Sequence, residues 1–493
     1  IDIYIYIMPN QSKYEEKEIE ILRLAVDKAE KRSDRKAANA PEVKKIIAEV
    51  ELFLRQRKLI CYGGTAINNI LPQQDQFYDK SLEIPDYDFY SPNALKDAKD
   101  LADIYHSKGF SDVEAKSGVH HGTFKVYVNF IPVADITQLD KELFKTMKKE
   151  AISVNGIFYA PPNFLRMAMY LELSRPKGDV SRWEKVLKRL ILLNKNHPIK
   201  NPKCNEVNFQ RSMEATANKS SREADIYNIV KQTFVNQEVV FFGGFANTLY
   251  SNYMPKKLKK RLQSSPDFDV LSTDPEVAST IVKERLNDEG IKNVKIVKHK
   301  GVGEIIAPHY EIRIGNDSIA FIYEPLACHS YNVIKLKGNS LKIATIDTML
   351  SFYLAFLYTN RPYYDPDRLL CMSQYLFKVQ QKNRLEQKGL LRRFSISCYG
   401  TQSTLESMRQ EKSDKFEELK NKKNSTEYQE WFLKYTPATE GKKVSTSNTK
   451  KKTTDKKTVS KKRKNKVSTR KGYYNKKLKR RRKKSKKVYF SWK

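Results

Sequence analysis

Cysteine is scarce in this chain. Its five residues (Cys61, Cys204, Cys328, Cys371, Cys398) form no CxxC pair and no zinc-type spacing. That argues against a disulfide framework and a structural zinc, and it fits a reducing, intracellular compartment. Long apolar runs are missing too. The longest, around Met349 to Tyr358, is interrupted by Ser351 and is about half of the ~20 residues a spanning helix needs. No membrane partner is expected. Ile1 to Met8 carries Asp2 and lacks a basic region, so no signal peptide is expected there, and a start upstream or at Met8 stays open. Acidic residues are outnumbered: 57 Asp plus Glu stand against 92 Lys plus Arg, a net charge of +35. An excess of that size points to a polyanionic partner, nucleic acid or an anionic surface. With 40% hydrophobic residues among 493, the chain is not disordered as a whole, and its length suits two to four domains.

The charge is uneven. Gly441 to Lys493 holds 25 Lys/Arg and one acid, Asp455, while the preceding 440 residues carry 67 basic and 56 acidic residues. The body is therefore moderately basic and the tail is a separate polycation. Lacking apolar periodicity, the tail reads as disordered.

Along the body, Tyr14 to Lys36 has helical spacing of Ile19, Leu22 and Val26, and Pro41 suits the first turn of a second helix ending near Arg57. Lys58 to Tyr62 reads as a short strand before Gly63-Gly64. Further strands are expected at Tyr87 to Tyr90, Thr123 to Phe130 and Val133 to Thr137, then amphipathic helices from Asn163 to Leu193. The class is mixed α/β (α+β). The expected divisions are a helical segment (1–57), an α/β domain with a helical cap (58–200), a second α/β domain (201–400), a charged helical region (401–440) and the tail (441–493).

The second domain is expected because the chain repeats itself. Ile60-Cys61-Tyr62-Gly63-Gly64-Thr65-Ala66 resembles Val240-Phe241-Phe242-Gly243-Gly244-Phe245-Ala246, and Pro85-Asp86-Tyr87-Asp88 resembles Pro266-Asp267-Phe268-Asp269. A weaker third match sets Pro132 to Asp135 against Pro325 to Cys328 and requires an insertion of about a dozen residues. Matching order argues for two copies of one fold.

Asp86 and Asp88 sit at i and i+2, so on a strand they share a face. Two carboxylates so close repel unless a cation lies between them. Asp135, in an apolar strand context, would complete a set of three hard oxygen donors, suited to Mg²⁺ or Mn²⁺. Gly63-Gly64-Thr65 lies where a strand meets a helix, the place where backbone N–H groups and a helix N-terminus hold phosphate. In the second copy Cys328 matches Asp135 and Phe245 matches Thr65. That copy is expected to be degenerate and the first to be the working site.

Taken together these residues resemble the nucleotidyltransferase superfamily that includes DNA polymerase beta. CYGGTAINNILP, IPDYDFYS, VNFIPVADIT and SRWEKVLKRL look like the poly(A) polymerase catalytic subunits of poxviruses and giant viruses. The resemblance covers roughly residues 15 to 400 and implies two tandem nucleotidyltransferase-like domains. It also implies template-independent addition of adenylates from ATP to an RNA 3′ end with two divalent cations. Asp86 and Asp88 would bind the metals that hold the triphosphate, and Asp135 the metal that acts on the primer 3′-hydroxyl. Gly63, Gly64 and Thr65 would hold phosphate. A location in host cytoplasm (the viral factory) or in the virion is implied by the family alone, and a homodimer or a viral processivity factor is left open. The 21 residues between Gly64 and Asp86 exceed the spacing in many cellular relatives.

Other candidates are weighed against plainer roles. Arg182, Lys185 and Arg189 fall on one helix face and would reach triphosphate or RNA, or would be a solvated basic face. Thr123 and Lys125 alternate on a strand toward the nucleotide. His120-His121 reads as strand entry. The tail's Lys461 to Lys464 and Arg480 to Lys484, interleaved with Tyr473, Tyr474, Tyr489, Phe490 and Trp492, would hold product RNA, act as a nuclear-localisation signal, or simply be solvated. Uridylyl, CCA-adding or 2′-5′ oligoadenylate transfer, and a non-catalytic RNA scaffold, remain as alternatives.

Overall fold

The computed structural model describes residues 11–79, 81–205, 207, 220–254, 267–303, 305–336 and 338–437. All of them fall within one compact unit. The tail from Gly441, with its basic clusters and rings, and the first ten residues lie outside the described residues.

The first helix runs Gln11–Ala38, and its side chains from Tyr14 to Ala37 are exposed. The second, Pro41–Arg57, starts on a proline, whose missing N–H costs nothing at that position. Its Ile46, Val50, Phe53 and Leu54 recur at helical spacing and are buried against the first sheet. That sheet contains β1 (Ile60–Cys61), β2 (Tyr87–Ser91), β3 (Val113–Ser117), β4 (Thr123–Val128), β5 (Ile131–Gln138), β6 (Ile152–Val154) and β7 (Ile157–Tyr159). The second contains β8 (Val240–Phe242), β9 (Phe268–Leu271), β10 (Val294–His299), β11 (His309–Ile314), β12 (Asp317–Tyr323), β13 (His329–Leu336), β14 (Asn339–Ala344) and β15 (Cys398–Tyr399). A final strand, β16 (Lys434–Tyr435), returns to the first sheet beside β3.

The orders are β16-β3-β4-β5-β2-β1-β7-β6 and β10-β11-β12-β9-β8-β14-β13-β15. Seven consecutive places correspond, from β3 and β10 to β6 and β13, and strand directions agree: β2 runs parallel to β5 as β9 does to β12, and β1 parallel to β7 as β8 does to β14. The fold is thus mixed α/β with two copies of one topology.

The registers correct the third sequence match. Asp88 lies opposite Asp135, and Asp269 lies opposite Phe321. Phe321, not Cys328, stands in the place of Asp135. The shared Pro-x-Ala wording misled, because Pro132 lies inside β5, opposite Tyr127, whereas Pro325 follows β12, and register is fixed by strand pairing. The second copy still lacks the third carboxylate, now replaced by a ring.

Helix Pro162–Leu173 of the first copy packs on helix Ile346–Phe356 of the second. All eleven residues of the latter are buried, Asp347, Thr348 and Ser351 among them. It is a core helix between the halves, and no helix among the described residues is long and apolar enough to cross a membrane.

The cysteine reading needs a second correction. Cys204 bonds Cys371 and Cys328 bonds Cys398, across 167 and 70 residues of chain. Topology brings each pair together: β15, carrying Cys398, lies beside β13, which begins next to Cys328. Sequence spacing carries no trace of such long-range pairs, and the compartment inferred from scarce cysteine loses its support.

Candidate active site

β2 alternates buried and half-exposed residues: Tyr87 and Phe89 face the core, while Asp88 and Tyr90 face the opposite side. Asp86, two residues before Asp88, stands just ahead of the strand. The parallel register sets Asp135 on β5 directly beside Asp88, and Lys125 on β4 lies opposite Asp135. A row of charged groups therefore crosses three strands, with the Lys125 ammonium donating to Asp135 Oδ2.

β1 ends at Cys61, and the backbone N–H of the next residue, Tyr62, donates to the Asp88 carbonyl at 2.9 Å. The chain then enters helix Gly63–Ile70. Gly63 has φ +72°, and a Cβ there would lie 2.6 Å from Asp88 Oδ2, so both backbone and neighbour require glycine. A Cβ on Gly64 would collide with the Tyr78 hydroxyl and press on the Arg189 guanidinium. The Thr65 hydroxyl donates to the Asp86 carbonyl at 2.7 Å, so it pins the approach to β2.

These elements enclose a cavity of about 950 Å³. Gly63, Gly64, Thr65, Asp86, Asp88, Asp135, Arg182 and Lys185 all line it, and so do Thr123, Arg189 and His120. Arg182 sits at the start of helix Trp183–Asn196, 3.2 Å from Glu172. Arg189 donates to the Tyr78 hydroxyl at 2.6 Å and lies over the Phe77 ring. The helix itself is anchored by buried Arg166, whose Nε donates to Asn194 at 2.6 Å.

The electrostatics bear on a metal. Burial, then Asp86 and Asp135, push the Asp88 carboxyl up to about 7. Asp86 is also raised, first by burial and then by Asp135. Negative charge that Lys125 and Arg182 only partly compensate suits a hard divalent cation. Among the described residues, however, no three carboxylate, histidine or cysteine side chains close around a common ion position. The expected convergence is thus a shared cavity rather than a closed cage, because Asp135 is bonded to Lys125 and Asp86 precedes the strand.

Several groups escaped sequence reading. His121 is not merely strand entry: its ring packs against that of Trp431, with centroids 4.2 Å apart and planes tilted by 34°. Tyr78 and Glu172 sit in the cavity wall, although no motif marks them. The Lys125–Asp135 pair was foreshadowed only by the alternation that placed Lys125 toward the site.

Comparison with known proteins is consistent with this geometry. Residues 48–179 match the family model described as "Poly(A) polymerase catalytic subunit". A protein of African swine fever virus, strain Badajoz 1971 Vero-adapted, that carries the name poly(A) polymerase catalytic subunit is 32% identical over 173 residues, 34% of this chain and 36% of that protein. One of the same name from Acanthamoeba polyphaga mimivirus is 33% identical over 162 residues, 32% of this chain and 27% of its own. The matched stretch thus spans about a third of the length of these curated relatives. The crystal structure of the Megavirus polyadenylate synthase superposes with a TM-score of 0.71 at 19% identity, covering 88% of this chain and 90% of that one. The fold is shared across nearly the whole described body, and the resemblance to viral poly(A) polymerase catalytic subunits is carried by the first copy.

Proposed function

We propose that this chain is a template-independent polynucleotide adenylyltransferase, which adds AMP from ATP to RNA 3′ ends and releases pyrophosphate. One observation carries the reading: Gly63, Gly64, Asp86, Asp88 and Asp135 line a single cavity inside the stretch that matches the poly(A) polymerase family.

In this reading the primer 3′-hydroxyl oxygen attacks the α-phosphorus of ATP, and the bond to the bridging oxygen of the β-phosphate breaks. Such a transfer relies on positioning and charge neutralisation. The backbone N–H groups opening helix Gly63–Ile70 face the phosphates, with the helix N-terminus adding partial positive charge. Arg182 and Lys185 approach the triphosphate from another wall. Asp86, Asp88 and Asp135 are the residues that would hold Mg²⁺ or Mn²⁺. When bound, two such ions would neutralise the triphosphate and lower the pKa of the attacking hydroxyl. The Asp135 carboxylate orients that hydroxyl, and Thr65 fixes the Asp86 loop from behind. Viral mRNA as substrate, a viral-factory or virion location, and assistance from a second subunit belong to the same proposal.

The test is primer extension on a 5′-labelled RNA oligonucleotide, with each of the four nucleoside triphosphates and with Asp135→Ala beside the wild type. A tail made from ATP only, and only by the wild type, is expected. A tail built preferentially from UTP or CTP would make it another terminal transferase. Equal extension by the variant would place the chemistry elsewhere.

A further inference from the structure

Lys125 lies across the hairpin from Asp135, and its ammonium donates to Asp135 Oδ2. The side chains are 34% and 17% exposed, so the pair is partly withdrawn from water and its attraction is not fully screened. Lys125 is not part of the cavity wall, whereas Asp135 is, so the ammonium holds the carboxylate from outside the space a substrate enters. Two cations of the cavity wall have partners of their own, Arg182 with Glu172 and Arg189 with Tyr78. In the second copy the corresponding positions are Glu311 and Phe321, directly opposite each other on β11 and β12. Lysine and aspartate are therefore present together in the copy with three carboxylates and absent together from the copy with two.

We propose that Lys125 is the resident counter-ion of Asp135, a positioning residue that aims the carboxylate and keeps its affinity for a divalent cation low until nucleotide phosphates add their own ligands. Cation uptake is thereby tied to ATP binding, which keeps the site from filling unproductively. The proposal rests on the metal-binding reading of Asp135 given above.

The test is binding of Mn²⁺ to the full chain, followed by electron paramagnetic resonance of the free ion, with and without ATP and without primer. Wild type, Lys125→Met, Lys125→Arg and Asp135→Asn are compared. Lys125→Met is expected to bind Mn²⁺ about tenfold more tightly than wild type in the absence of ATP. Its gain in affinity on adding ATP should shrink correspondingly, and Lys125→Arg should behave as wild type. Unchanged or weaker Mn²⁺ binding by Lys125→Met, with Asp135→Asn impaired, overturns the counter-ion role and leaves the metal site standing. Wild-type Mn²⁺ binding by Asp135→Asn overturns the metal reading itself. Lys125→Gln repeats the comparison if the methionine variant fails to fold.

Discussion

The two halves share one topology and put different things inside it. In the first, Asp135 and Thr65 line an open cavity, and Lys125 holds Asp135 from outside it. In the second, Phe321, Glu311 and Phe245 hold the corresponding places, and Phe245 packs with Phe241 and Phe268. The glycine turn survives in both. Gly243 has φ +66°, and a Cβ there would collide with Asp269, just as one on Gly63 would with Asp88. The turn is therefore explained by strand-to-helix geometry in both copies, and only the side chains around it distinguish a site from a core. Charge is used differently as well. In the second half Asp347, fully buried, receives a bidentate pair from Arg393 and a hydrogen bond from Gln380 at 3.0 Å. That group serves structure, whereas the carboxylates of the first half repel one another around a space.

The sharpest way to break this contrast is to neutralise matching carboxylates. Asp88→Asn should lower adenylate incorporation by about a thousandfold or more. Asp269→Asn should leave it within a few-fold of wild type. Primer extension under single-turnover conditions measures both. Comparable losses from the two substitutions would mean that the second copy contributes to chemistry.

Stability should show the reverse pattern. Arg393→Met strands a buried Asp347 carboxylate, and breaking such a pair costs about 3–5 kcal/mol. Arg182→Met, whose partner Glu172 is on the cavity wall, should cost less than about 1 kcal/mol while impairing catalysis. Urea unfolding at neutral pH decides between them. A stability loss from Arg182→Met equal to that from Arg393→Met would erase the division of labour.

Much of this was legible in the sequence, and the omissions have a common cause. The repeat, the glycine turn and the i, i+2 carboxylates are local patterns, so helix Pro41–Arg57, β2 and β5 sit within a few residues of their expected places. What could not be read was long-range pairing. The Phe321 register, the Cys328–Cys398 bond and the return of β16 to β3 depend on which strands become neighbours. One signal was available: HYEIRIGNDSIAFIY alternates around a turn as TFKVYVNFIPVADIT does, and would have aligned Phe321 with Asp135.

A smaller effect concerns pH. Asp88 is raised from its ordinary value near 3.8 to about 7, first by burial and then by its neighbours. A carboxyl raised on folding binds more protons in the native than in the unfolded state between those values. Its contribution to stability is therefore greatest below pH 4 and is lost as pH climbs toward 7. Asp88→Asn should raise the Tm of the metal-free protein by several degrees at pH 8 and by less at pH 5.5. Calorimetry at the two pH values checks this. An equal gain at both would mean that ionisation of Asp88 does not strain the fold, and the charge contrast between the halves would weaken.

The smallest expected effect tests whether the chain after residue 400 belongs to the first half's working surface. Trp431 packs against His121 with its ring tilted by 34°, its carbonyl accepts from Ser117 Oγ at 2.8 Å, and Lys412 donates to the Gly118 carbonyl at 2.9 Å. These contacts grip the turn between β3 and β4, which carries His120 into the cavity wall. Among the described residues the second half has no counterpart, because β10 is the outermost strand of its sheet there. Trp431→Ala removes one ring–ring contact, worth about 1 kcal/mol. It should raise the KM for primer or ATP by two- to five-fold while leaving kcat nearly unchanged, since no group that touches the reacting atoms moves. Trp431→Phe should restore most of the loss by keeping a ring over His121. A fall in kcat with KM unchanged would show instead that the segment disturbs the carboxylates, and the strap would then act on the centre of the site rather than on its rim.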